Sequence, residues 1–152
     1  MDNTLSMIGL ALRAGRLEVG DEAAGDACRY KRCRLLLVAA EAGEGAQRRA
    51  MHFAEEGQCL LAEVPCSKEE LGAALGRKSC AMAALTDLGL ARAVAGRLAQ
   101  GDPERYGEMT ERLRVKAERA AQRREKTARE RQQRGGGKRP PVKYRENWER
   151  AP

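Results

Sequence analysis

Apolar positions alternate between two spacings along the first hundred residues. Leu5, Ile8 and Leu12 recur at helical spacing, which predicts a helix over residues 2–14 capped by Asp2, Asn3 or Thr4 and ended by Gly15. Leu17-Glu18-Val19 follows as a short strand that stops at Gly20. Asp21 then stands where its carboxylate can cap a helix running to about Tyr30. Ala23, Ala24, Ala27 and Cys28 give that helix a small apolar face, suited to close packing on a sheet. Leu35 to Ala39 is a continuous apolar run of strand length. It predicts a central strand covered on both faces.

The alternation continues. Gly43-Glu44-Gly45 predicts a turn before a helix over about 46–56, with Ala50, Phe53 and Ala54 inward and Gly57 as its stop. Residues 59–64 form a strand closed by Pro65. Ser67 and Glu70 have capping-box spacing and open a helix that reaches Leu75 and stops at Gly76. Residues 81–85 form the last strand, and Thr86 or Asp87 caps a helix to about Gln100. Strands alternating with helices predict an α/β domain over residues 1–100, with helices on the faces of a parallel or mixed sheet.

Gly101-Asp102-Pro103 marks the boundary with a second region, residues 101–152. Glu104 to about Arg134 reads as one long helix. Tyr106, Met109, Leu113 and Ala117 make a short apolar stripe on it, and the stripe fades beyond Ala121. Glu108–Arg112, Glu125–Arg129 and Glu130–Arg134 are helix-supporting pairs. Gly135-Gly136-Gly137 breaks the helix, and residues 138–152 read as a basic tail, disordered by itself. Within that tail Tyr144 and Trp148 lie among Lys143, Arg145 and Arg150. They are placed either to stack on unpaired bases or to anchor on a protein.

Charge changes this picture. Residues 1–100 hold 13 Lys+Arg and 13 Asp+Glu, whereas residues 101–152 hold 16 against 9, so the whole +7 sits in the last third. A basic appendage on a neutral domain points to a polyanion such as nucleic acid. The plainer alternative is a solvated, salt-bridged helix.

Chemistry for catalysis is missing from the sequence. There is no GxSxG, P-loop or paired-carboxylate motif, and His52 is the single histidine. The expectation is a protein without enzymatic activity, cofactor or metal. Five cysteines, Cys28, Cys33, Cys59, Cys66 and Cys80, show no CxxC spacing, and no zinc signature is present. Reduced thiols point to the cytoplasm. No apolar run is long enough for a membrane span.

Several stretches in order carry a resemblance. They are Ile8-Gly9-Leu10-Ala11-Leu12-Arg13-Ala14-Gly15-Arg16-Leu17, Val19-Gly20-Asp21-Glu22, Leu35-Leu36-Leu37-Val38-Ala39, Val64-Pro65-Cys66-Ser67-Lys68-Glu69-Glu70-Leu71-Gly72, Leu75-Gly76-Arg77 and Leu85-Thr86-Asp87-Leu88-Gly89-Leu90-Ala91. Together they resemble the ribosomal L-seven-Ae / L-thirty-e family of RNA-binding proteins, and within it the bacterial YlxQ-type branch. The resemblance implies a three-layer α/β/α sandwich around a four-stranded mixed sheet. It also implies an RNA edge made by three loops, which match Gly20–Asp26, Glu41–Gly43 and Arg77–Cys80. Many members bind kink-turn RNA. Archaeal-type members carry Asn, Glu and Lys in the first loop, where this chain has Glu22, Ala23 and Asp26. Glu22 can accept from a guanine amino group but cannot donate to O6 or N7, and Asp26 repels phosphate.

The candidate RNA-binding set is therefore Arg13, Arg16, Gly20, Asp21, Glu22, Asp26, Arg29, Lys31, Arg32, Glu41, Arg77, Lys78 and Ser79. Arg13, Arg16, Arg29, Lys31, Arg32 and Arg34 form either a phosphate-contacting rim or ordinary surface charge paired with Glu18, Asp21, Glu22 and Asp26. The expected function is binding of structured RNA, in association with the ribosome or with ribosomal RNA, by a chain that is monomeric when free. The competing expectation is a protein–protein adaptor of the translation machinery, with the basic tail as an electrostatic aid.

Overall fold

The computed structural model describes residues 2–134. Ten elements follow in chain order: α1 (Asp2–Arg13), β1 (Leu17–Val19), α2 (Asp21–Arg29), β2 (Leu35–Ala39), α3 (Glu44–Gly57), β3 (Leu60–Val64), α4 (Lys68–Ala74), β4 (Met82–Leu85), α5 (Leu88–Gly101) and α6 (Pro103–Gln133). The glycine run and the tail with Tyr144 and Trp148 lie outside the described residues.

The four strands make one mixed sheet in the order β1-β4-β2-β3. β4 runs antiparallel to both neighbours, with Leu17 and Leu35 flanking Leu85. β2 and β3 are parallel, Leu35 opposite Leu60 and Ala39 opposite Val64. β2 and β4 are buried along their whole length, as expected of interior strands covered on both faces. α2 and α3 pack together on one face, and α1 with α4 and α5 on the other. This is the three-layer α/β/α sandwich the resemblance implies.

Small residues set the distance between α2 and α3. A Cβ on Gly25 would lie 2.9 Å from the Phe53 ring, and one on Gly57 would lie 2.8 Å from the Cys28 carbonyl oxygen. Gly57 is therefore needed for helix contact as well as standing at the end of α3. It is the last helical residue, and Gln58 makes the left-handed turn at φ 52°. The capping box of α4 is present: the Glu70 N–H donates to Ser67 Oγ and the Ser67 N–H to Glu70 Oε1, both at 3.0 Å. Asp87 caps α5, accepting from the Leu90 N–H at 2.8 Å.

The chain divides into two compact units, the first ending at Ala117 and the second beginning at Glu118. The first four turns of α6 thus belong with the sandwich. Tyr106 and Leu113 are buried in its core, with Met109 packed against it. The Tyr106 hydroxyl donates to the Glu63 carbonyl of β3, and Arg105 pairs with the Glu63 carboxylate. In the second unit every described residue from 121 to 134 is exposed. Arg129 pairs with Glu125 at 2.7 Å there. Such exposed i,i+4 pairs contribute only about 0.3–0.5 kcal/mol each.

Burial of this kind has a measurable cost when removed. Leu113→Ala should destabilise the protein by about 2–5 kcal/mol, the range for core leucines. Urea unfolding should show the loss as a lower midpoint at nearly unchanged slope. A loss below about 1 kcal/mol would mean that α6 does not belong to the core.

Candidate nucleic-acid interface

Strand directions bring the family-like loops together. β1, β2 and β3 all end, and β4 begins, at one edge of the sheet. The turn into α2, the loop into α3, the loop into α4 and the segment 75–81 are therefore neighbours. Hydrogen bonds fasten them: Gly20 N–H to Met82 O at 3.0 Å, Ala40 N–H to Val64 O at 2.8 Å, Glu41 N–H to Cys66 O at 3.3 Å, and Cys80 N–H to Lys68 O at 2.8 Å. Gln47 holds the second loop from beneath, donating to the Ala39 carbonyl at 3.0 Å. Gly72 lets segment 75–81 return tightly, since a Cβ there would lie 2.6 Å from the Ser79 backbone.

At this edge Gly20 adopts φ 96° and ψ 165°, a conformation essentially confined to glycine. The Arg77 guanidinium stands beside it, 3.8 Å from where a Cβ would be. Asp21 is not a cap. The cap position is Gly20, and Asp21 is the first helical residue. Its carboxylate accepts from Arg49 Nε at 2.7 Å, which ties α2 to α3. α3 likewise begins behind a glycine, Gly43, and neither helix start receives a side-chain cap. Ser67 and Asp87 do cap α4 and α5. The edge therefore presents two helix N-termini without a side-chain cap, with Asp21, Glu22 and Glu44 in their first turns; the exposed N–H groups of such ends attract anions. Glu22, Glu41, Arg77, Lys78 and Ser79 are exposed around them.

The other candidates do not join this edge. Arg16 and Arg34 flank the opposite end of β4: the Thr86 N–H donates to the Arg16 carbonyl, and the Arg34 N–H to the Leu85 carbonyl. Arg29 pairs with Asp26 and with Glu56 at 3.4 Å, and Arg32 with Glu18 at 3.8 Å. Lys31 Nζ donates to the Glu56 carbonyl at 2.7 Å. Arg13 lines a shallow cleft with Gly9, Glu70 and Ala74 on the α1 and α4 side. Arg16, Arg29, Lys31 and Arg32 thus lie away from Gly20, Glu41 and Arg77, because β1 separates Arg16 from Gly20 and α2 then crosses back to the far edge before Arg29. Arg29, Lys31 and Arg32 carry the local pairing of ordinary surface charge.

A cluster at that far edge has no signal in the sequence spacing. Cys28, Cys33 and Cys59 come from three segments, and their sulfurs all lie within 4.8 Å of one another. Hydrogen bonds from the Cys28 and Cys33 thiols pull the Cys59 thiol well below its ordinary range. Hydrogen bonding to Cys28 and Cys59 drives the Cys33 thiol up. His52 is exposed, with Nε2 3.3 Å from Glu56 Oε2.

No protein-family model and no curated protein matches the chain. Solved structures do. A protein of unknown function from Bacillus halodurans shares 26% identity at a TM-score of 0.56, over 61% of this chain and 93% of that one. The 15.5kD RNA binding protein of Giardia lamblia shares 16% identity at a TM-score of 0.50, over 61% of this chain and 82% of that one. The second likeness is one of fold. Among the described residues no helix is long and apolar enough to cross a membrane.

Gly20 offers a local test. Gly20→Ala should cost about 1–3 kcal/mol from backbone strain, because its Cβ meets nothing closer than ordinary contact and only the conformation resists it. Gly43→Ala, at φ −62° and with open space around the Cβ, should cost less than about 0.5 kcal/mol. Thermal melts of the two variants should differ accordingly, and equal melting would contradict the assigned geometry.

Proposed function

We propose that this chain is a non-enzymatic RNA-binding protein. It takes folded RNA on the edge made by Gly20, Glu41 and Arg77, and its C-terminal cations add attraction that does not depend on sequence. The observation that carries the reading is the pair of side-chain-uncapped helix starts at one edge, with the Arg77 guanidinium beside Gly20. Phosphate oxygens are suited to such donors. The glycine leaves no side chain in the way of a close backbone approach.

The second unit supports the same partner. Residues 118–134 hold seven Lys or Arg against three Glu. Arg119, Arg123 and Lys126 follow at steps of four and three, so they share one helix face. A cationic face of this kind contributes affinity by releasing counterions. The resemblance in residues 5–99 favours ribosomal RNA in the cytoplasm as the physiological partner. A kinked duplex is the finer possibility, with Asp26 in the place where kink-turn binders carry a cation.

A second reading has its own observation. Asp21, Glu22, Glu41 and Glu44 stand at the same edge as Arg49 and Arg77, so the surface is mixed in sign and is also suited to a protein. Binding of the full chain to a kink-turn duplex and to a straight duplex of equal length separates the two. Arg77→Ala should weaken RNA binding by about tenfold, the worth of one charge-assisted contact. Asp26→Lys should tighten the kinked RNA by about 1 kcal/mol. Replacing Arg119, Arg123 and Lys126 together by Gln should lower the slope of log K against log salt by about 2–3, at roughly 0.7–0.9 per phosphate contact. Unchanged binding by the first two variants would transfer this edge to a protein partner, and an unchanged slope would remove the second unit from the interface.

A further inference from the structure

The two residues other than glycine that adopt positive φ among the described residues are Lys31 at 60° and Gln58 at 52°. Left-handed conformations are uncommon outside glycine and mark places where the surrounding structure imposes a turn. Both turns deliver a cysteine. After Lys31 the chain doubles back, and the Arg32 and Cys33 N–H groups both donate to the Ala27 carbonyl, at 2.8 and 3.1 Å. That return places Cys33 beside Cys28 in the last turn of α2. After Gln58 the Cys59 N–H donates to the Ala54 carbonyl at 3.0 Å, which brings Cys59 to the end of α3. Gly57 completes the approach, because any side chain there would strike the Cys28 backbone.

Three separate backbone devices thus converge on one group of sulfurs. Cys28 Sγ and Cys59 Sγ are 3.8 Å apart, and all three sulfurs lie within 4.8 Å of one another. A disulfide needs sulfurs about 2.05 Å apart and uses only two of them. A metal ion about 2.3 Å from each of two sulfurs in tetrahedral geometry separates them by about 3.8 Å, as the Cys28–Cys59 pair is separated. Cys28 and Cys33 are buried, whereas Cys59 is half-buried and opens the group toward solvent. Cys66 and Cys80 belong to the opposite edge.

We propose that Cys28, Cys33 and Cys59 form a three-thiolate site for a closed-shell, thiophilic metal ion of the zinc(II) or copper(I) class. Thiolates select such ions over hard cations. Each thiol loses its proton on coordination, and no electron is transferred. Zinc(II) takes water as its fourth ligand, and copper(I) is satisfied by three sulfurs. The site fastens the C-terminal end of α2, the segment into β2 and the start of β3 to one another. It is independent of the RNA reading, since it stands at the other edge of the sheet.

The test uses the full chain, reduced and metal-free, under anaerobic conditions. One portion is titrated with Co(II) and then Zn(II), and another with Cu(I), each against a chromophoric chelator. The expected result is one equivalent of ion per chain in at least one arm. Co(II) should develop a near-ultraviolet thiolate charge-transfer band that Zn(II) abolishes, and the arm that retains its ion identifies the metal. Cys33→Ser and Cys59→Ser should each lower affinity more than 100-fold, while Cys66→Ser retains full binding. Alkylation read by mass spectrometry on the unaltered chain guards against variants that do not fold: bound ion should slow labelling of Cys59 at least tenfold. Less than one equivalent in both arms would overturn the proposal. So would binding that survives Cys33→Ser, or recovery of a Cys28–Cys59 disulfide in place of bound metal under reducing conditions.

Discussion

Insertion of β4 between β1 and β2 is the constraint on which the rest of the molecule depends. The strand is four residues long, Met82-Ala83-Ala84-Leu85, and is buried on both faces while paired along both edges. Its two central alanines admit helix layers on either side without crowding. Because it runs against both neighbours, its start meets the ends of the strands that lead into α2 and α3. One strand direction thus decides that the segment carrying Arg77 lies beside Gly20. Leu36 and Leu37 of β2 face Ala84 and Ala83, so large side chains on one strand meet small ones on the next, the arrangement that fills an interior without voids.

The two helix faces solve different problems. Between α2 and α3 the separation is set by glycine and alanine, and a ring, Phe53, fills the place of a missing side chain at Gly25. On the opposite face α1 contributes Ile8 and Ala11, both fully buried, and α5 contributes Val94 and Leu98. α2 is the element that joins the two edges. Its N-terminal end is tied to α3 through Asp21 and Arg49, and its C-terminal end through Gly57 and Cys28. At nine residues it spans about 13 Å, a short and doubly fastened rod.

Much of the fold was legible because periodicity and punctuation agreed. Leu17–Val19 and Leu35–Ala39 are strands with the bounds their apolar runs indicate, and Ser67 with Glu70 makes the box its spacing indicates. What failed depended on distant partners. Asp21 has the composition of a cap, yet its carboxylate is held by Arg49, 28 positions away. Gly57 does stand at the end of α3, but the left-handed turn falls on Gln58, and the contact its missing side chain allows with Cys28 has no sequence signal. The basic residues between 13 and 34 are close in sequence, and nothing in their spacing reveals that β1 separates Arg16 from Gly20 or that α2 carries Arg29, Lys31 and Arg32 back to the opposite edge. The three cysteines are five and 26 positions apart, so only tertiary structure brings them into one cluster.

The order of strands leaves β3 at the margin of the sheet, with one side paired to β2. A margin with unpaired backbone groups is a template on which another copy of a chain can add a strand, and natural proteins cover or blunt such margins. Here Tyr106 and Arg105 from the start of α6 reach Glu63, one through its carbonyl and the other through its carboxylate. The opening turns of the long helix therefore act as a guard against self-association. A shortened form cut at the Gly101-Asp102-Pro103 boundary would lose that guard together with Leu113. It would be prone to aggregate for reasons unrelated to any partner of the helix, so a loss of binding in such a truncation says little about where nucleic acid is held.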